Sequence, residues 1–65
     1  MEINEDEKYY VQTGMETYGG SFVKALGQCV ARADPQNLAK IKETWPKYWE
    51  EYLQHGERLY NQEEK

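Results

Sequence analysis

The sequence predicts an all-α fold: a small single domain of two to three short helices over about 21–33, 35–45 and 46–60, with a flexible acidic N-terminal arm over 1–20 and a frayed tail over 61–65. Three observations carry this. From Ser21 onward apolar residues recur at intervals of three and four, the period of one helix face. Two X-Pro steps, Asp34-Pro35 and Trp45-Pro46, divide that stretch where helices start and stop. Neither a strand alternation nor an internal repeat is visible.

At 65 residues there is room for one domain, and a two-domain enzyme is excluded. Leu, Ile, Val and Phe number only 10, so the two Trp and six Tyr must supply much of any core or interface. A homo-oligomer is one way for so short a chain to gain buried area. The single cysteine, Cys29, excludes an internal disulfide and a cysteine zinc site. No run reaches the roughly 20 apolar residues of a membrane span, and the acidic start is unlike a signal peptide, so a cytoplasmic protein with no membrane partner is expected.

Residues 1–20 are polar and carry Gly14, Gly19 and Gly20, each costly in regular structure. They read as an adaptable arm in which Tyr9, Tyr10 and Val11 form at most a short helical turn docked on the body. In the next segment Phe22, Leu26, Cys29, Val30 and Ala33 share a face, with Ser21 as N-cap. Gly27 inside this helix marks a place where another backbone approaches closely. Asp34 then caps a second helix that Pro35 begins, with Leu38, Ile41 and Trp45 on its apolar side. The third segment places Trp49, Tyr52 and Leu53 together. Gly56 either ends it after His55, the slightly favoured reading, or sits inside one longer helix to about Tyr60. The predicted core is Phe22, Leu26, Val30, Leu38, Ile41, Trp45, Trp49 and Leu53.

Catalysis needs paired groups, and one His, one Cys and one Ser at a helix start offer none at a useful spacing, so a non-enzyme without cofactor or metal is expected. Cys29, on the apolar stripe, should be buried and inert. His55 should sit near the last carbonyls of its helix as a cation. Trp45, Tyr48, Trp49 and Tyr52 are denser in aromatics than a helix requires. Tyr48 points about 100° away from Trp49 and, with the edge of Tyr52, is the better candidate for a contact surface.

Charge is uneven. Residues 1–20 carry a net −4, 21–47 a net +3 and 48–65 a net −3. Such runs ordinarily only solvate a surface, yet opposite signs could also steer two copies together. The central bases Lys24, Arg32, Lys40, Lys42 and Lys47, with aromatics nearby, could meet a phosphate-bearing ligand. The acidic ends would repel duplex nucleic acid.

The stretches Gly19-Gly-Ser-Phe-Val-Lys-Ala-Leu26, Ala33-Asp-Pro-Gln-Asn37, Lys40-Ile41 and Trp45-Pro-Lys-Tyr-Trp-Glu-Glu-Tyr52 resemble small uncharacterised helical proteins encoded by bacteriophages and prophages. The resemblance covers about half of the chain, roughly 18–53, and implies an accessory protein acting in the cytoplasm of the bacterial host cell, with no chemistry to carry over. The leading expectation is a non-catalytic protein that binds and modulates a host protein through Tyr48, Tyr52, Lys40 and Lys47. A second is a homo-oligomer that sequesters a nucleotide-like defence signal with Lys24, Lys40 or Arg32 on phosphate. A third is an acidic mimic of DNA.

Overall fold

The computed structural model describes residues 3–63 and consists of four helices: α1 (Glu5–Tyr18), α2 (Ser21–Arg32), α3 (Pro35–Thr44) and α4 (Pro46–Glu63). Among the described residues every element is helical, in agreement with the all-α expectation. The count exceeds the expected two to three because the stretch expected as a flexible arm is α1.

Its start is written in local chemistry. The Asn4 side chain accepts a hydrogen bond from the Glu7 backbone N–H at 2.8 Å, which satisfies one of the unpaired amides of the first turn. Glu5, Asp6 and Glu7 then lie beside the positive end of the helix dipole. Acids that read as solvating an arm therefore favour a helix N-terminus.

The remaining boundaries divide in the same terms. Asp34 caps α3 as expected, accepting from the Asn37 N–H at 2.8 Å, with Pro35 in the first turn. Ser21 does not cap α2: Gly20 occupies that position and contributes no side-chain bond. Trp45 joins two helices, its N–H donating to the Ile41 carbonyl at 3.0 Å and its carbonyl accepting from the Trp49 N–H at 2.9 Å. α3 thus ends at Thr44, one residue before its expected end. α4 runs through Gly56 to Glu63, so the favoured cap at Gly56 is corrected, and 61–63 are helical where a frayed tail was expected. Residues 64–65 of that tail, and residues 1–2 of the arm, lie outside the described residues.

The core is built from all four helices. Val11 and Met15 of α1 are 0% exposed, and around them pack Val23, Leu26 and Val30 of α2, Leu38 of α3, and Trp49 and Tyr52 of α4. Burial of each large side chain contributes about 1.5–3 kcal/mol. Of the predicted core, Leu26, Val30, Leu38 and Trp49 are buried, while Ile41, Trp45 and Leu53 are half-buried against it. Phe22 is a correction, being 56% exposed. The buried face of α2 runs through Val23, Leu26, Gly27 and Val30, rotated about one residue from the expected stripe because α1 packs there. The same rotation places Cys29 at the surface, against the expectation of a buried thiol.

α1 lies along α4 and across α2, and α3 leans on α4. These contacts are close because glycines face them. A Cβ on Gly56 would fall on the Tyr10 carbonyl oxygen, and one on Gly14 would fall on the Tyr52 carbonyl oxygen and stand 3.1 Å from the Gly56 nitrogen. All glycines of the chain have negative φ, so it is space, not backbone conformation, that demands glycine at the crossing. Gly27 meets the expectation of a close approach more mildly, its added Cβ lying 3.0 Å from Met15 Cβ.

Two glycine substitutions should therefore have opposite signs. Gly56→Ala, which would favour an isolated helix by about 1 kcal/mol, should instead destabilise the protein by about 1–3 kcal/mol or more by forcing α1 off α4. Gly20→Asp, at a position with open space and an unused cap, should stabilise it by about 0.5–1 kcal/mol. Urea denaturation followed by circular dichroism checks both.

Candidate functional site

Glu7 anchors one side of the molecule. Its Oε2 accepts a hydrogen bond from the Trp49 indole N–H at 2.7 Å and another from Lys42 Nζ at 3.0 Å. Lys42 also stands 5.7 Å from the centre of the Trp49 ring, within cation–π range. One carboxylate thereby satisfies a buried indole, pairs a cation and joins α1, α3 and α4. Burial raises the carboxyl's proton affinity, but the hydrogen bonds from Lys42 and Trp49 and the Lys42 charge outweigh it and hold Glu7 below the ordinary carboxylate value. Lys8 adds a contact to the Ala33 carbonyl at 3.4 Å. These groups are committed to structure.

The surface between α2 and α3 is less finished. α2 and α3 make little direct contact, and a groove of about 490 Å³ lies between them, floored by Leu26, Ile41 and Trp45 and lined by Cys29. Among the described residues Arg32 and Lys40 are the only charged ones that line it. A second depression of about 550 Å³ shares Thr44 and Trp45 with the first and is lined by Phe22, Pro46 and Tyr48, with Lys47 as its only charge among the described residues. The two depressions adjoin at Thr44 and Trp45 and together make a trough, and the charged residues among the described ones that line them, Arg32, Lys40 and Lys47, are all cations.

Aromatic rings extend from this trough around the molecule. Phe22 meets Trp45 at 6.0 Å and Tyr48 at 6.4 Å between ring centres, and Tyr48 meets Tyr52 at 6.3 Å. Tyr52 then meets His55 at 5.6 Å, and His55 meets Tyr18 at 4.9 Å. His55 is thus placed mid-helix between two phenols, with Glu51 4.0 Å away, and not at the helix-end carbonyls where it was expected.

The expected site residues separate into three groups. Tyr48 and Lys47 line the second depression, and Arg32 and Lys40 line the first, so four of the six stand on one trough. Lys24 lies on α2 outside both linings, so of the three bases expected as alternatives for phosphate, Lys24, Lys40 or Arg32, the first depression brings together Arg32 and Lys40. Tyr52 is buried, and is a core residue instead of a contact residue. Burial, together with Glu51 and Tyr48, pushes its hydroxyl above the ordinary tyrosine value. Reading from the sequence missed Phe22, Trp45 and Cys29 as trough residues, having assigned all three to the interior.

Among the described residues, no group of three or more His, Cys, Asp or Glu side chains is gathered as a metal site would require. No described helix is long and apolar enough to cross a membrane. No family model matches this chain, and comparison with curated proteins and with solved structures finds no significant match.

Glu7 generates a pH prediction. A carboxyl held below its ordinary value contributes stability that is present at neutral pH and is lost as pH falls through and below the 4.5 of an unperturbed Glu. Glu7→Gln should lower the urea midpoint at neutral pH and flatten the loss on acidification. A variant whose midpoint falls with acid as steeply as the wild type would contradict that role for Glu7.

Proposed function

We propose that this chain is a non-catalytic accessory protein, of the kind that small bacteriophage-encoded helical proteins represent, and that it binds and modulates a host protein through the trough between α2 and α3. The observation that supports this reading is the trough itself. Phe22, Trp45 and Tyr48 leave aromatic surface in contact with solvent, although this chain has few apolar residues to spare for its core. Aromatic anchors in a shallow apolar depression, ringed by charge, are the composition of a protein-binding hot spot. Tyr48 and Lys47 act at one end of the contact, and Lys40 and Arg32 at the other.

A protein partner is favoured over a nucleotide-like one by the distribution of the bases. Phosphate recognition wants converging cations. Here Lys24 stands apart and Lys42 is paired with Glu7, leaving Arg32 and Lys40 on one depression and Lys47 on the next.

Affinity capture from a bacterial lysate tests this with a charge-matched control. Wild type and Lys24→Glu should retain the same host protein, and Lys40→Glu combined with Lys47→Glu should lose it while keeping its helical circular dichroism. Identical sets of bound proteins for all three would contradict the assignment of the trough.

A further inference from the structure

The trough also specifies what fits it. The walls of its first depression are two helices, and the side chains they present follow helical spacing: Leu26 and Cys29 from α2, with Ala33 at its C-cap, and Asn37, Ile41 and Thr44 from α3. Such ridges are complementary to a third helix laid between them, the arrangement by which an amphipathic helix docks in a groove. α3, at 10 residues, gives the trough a length of about 15 Å, or about three helical turns.

Charge narrows the occupant further. The chain holds 12 acids against 8 bases, yet among the described residues Arg32, Lys40 and Lys47 are the only charged ones lining the trough, and α2 contains no acid at all. Resting on the reading of the trough as the contact surface, we infer that its occupant is an acidic amphipathic helix of about three turns presented by the partner protein, with apolar residues at i, i+3, i+4 and i+7 and carboxylates flanking them. Trp45 and Phe22 take the apolar face, and the three bases meet the carboxylates at the rim.

A second copy of this chain fits less well. Its α1 and α4 have already turned Val11, Met15, Trp49 and Tyr52 into their own core, so the large apolar side chains that a folded copy exposes outside the trough, among the described residues, are the tyrosines Tyr9, Tyr18 and Tyr60 and no aliphatic stripe. A symmetric dimer made trough to trough would bring Arg32, Lys40 and Lys47 against their own counterparts.

The test titrates the full-length, isotope-labelled protein with two synthetic helical peptides of about twelve residues that share one Leu/Ile stripe and differ only in flanking Glu or Lys. The Glu peptide should move amide resonances around Leu26, Ile41 and Trp45 while leaving those of Val11 and Gly56 in place. It should bind at least about tenfold more tightly than the Lys peptide, an advantage that shrinks with salt. In the Arg32→Glu, Lys40→Glu double variant, whose exposed substitutions leave the core untouched, the preference should reverse. Equal affinity for both peptides, shifts away from the trough, or binding by neither overturns the inference. So does light scattering that shows a peptide-free dimer which the double variant abolishes, since that would assign the trough to a second copy. If neither peptide binds but capture of the host protein still depends on Lys40 and Lys47, only the acidic helix is wrong. If capture is also indifferent to those lysines, the reading of the trough falls with it.

Discussion

Side chains normally hold two packed helices about 8–10 Å apart, because Cβ atoms on both surfaces must interleave. Where α1 meets α4 the backbones approach too closely for interleaved Cβ atoms: Gly14 faces the Tyr52 carbonyl and Gly56 faces the Tyr10 carbonyl, with no room for a Cβ on either. The close approach lets a chain poor in Leu and Ile exclude water with small means. Val11 and Met15, close to these glycines, are fully buried in one cluster with Trp49 and Tyr52 of α4, against which Leu53 packs half-buried.

The other features of the molecule follow from that placement. With α1 in the middle, α2 must turn its Val23, Gly27 and Val30 side toward it, and Phe22 and Cys29 are carried round to the outside. α3 is tied at its far side by Lys42 to Glu7, and so stands off from α2 instead of closing on it. The trough is thus a consequence of what α1 occupies. Its apolar floor is core-type surface that no described element covers, and its cationic lining separates it from an otherwise acidic protein. On the proposed reading, stability and recognition are carried by different residues, with Glu7 and the glycines serving the first and Phe22, Trp45 and the three bases the second.

How much of this was legible in the sequence depended on whether a local rule and the tertiary packing agreed. They agreed at Asp34-Pro35, where cap and proline chemistry alone define the start of α3, and at Leu26, Val30, Leu38 and Trp49, which any plausible rotation of the helices would bury. They disagreed at α1. Three glycines in a polar stretch count against a helix by propensity, and the compensating fact, that Gly14 lies against another backbone, is tertiary. A local signal was nonetheless present in Asn4 followed three residues later by Glu7, the spacing of a capped helix start, and in Val11 and Met15 four residues apart. Of the candidate site, Lys40, Lys47, Arg32 and Tyr48 were found because bases and surplus aromatics stand out in composition. Phe22 and Trp45 were not, because period alone places them with the core and cannot say which of two adjacent stripes α1 will take.

The central claim is that α1 is a structural helix on which the rest is assembled. Amide hydrogen exchange under native conditions tests it most directly, because protection reports the free energy needed to open each hydrogen bond. The account predicts that amides of α1 around Val11 and Met15 exchange only as slowly as those of α4 around Tyr52, both limited by global unfolding. Exchange of α1 at the rate of an unstructured chain, with α2 to α4 still protected, would contradict it.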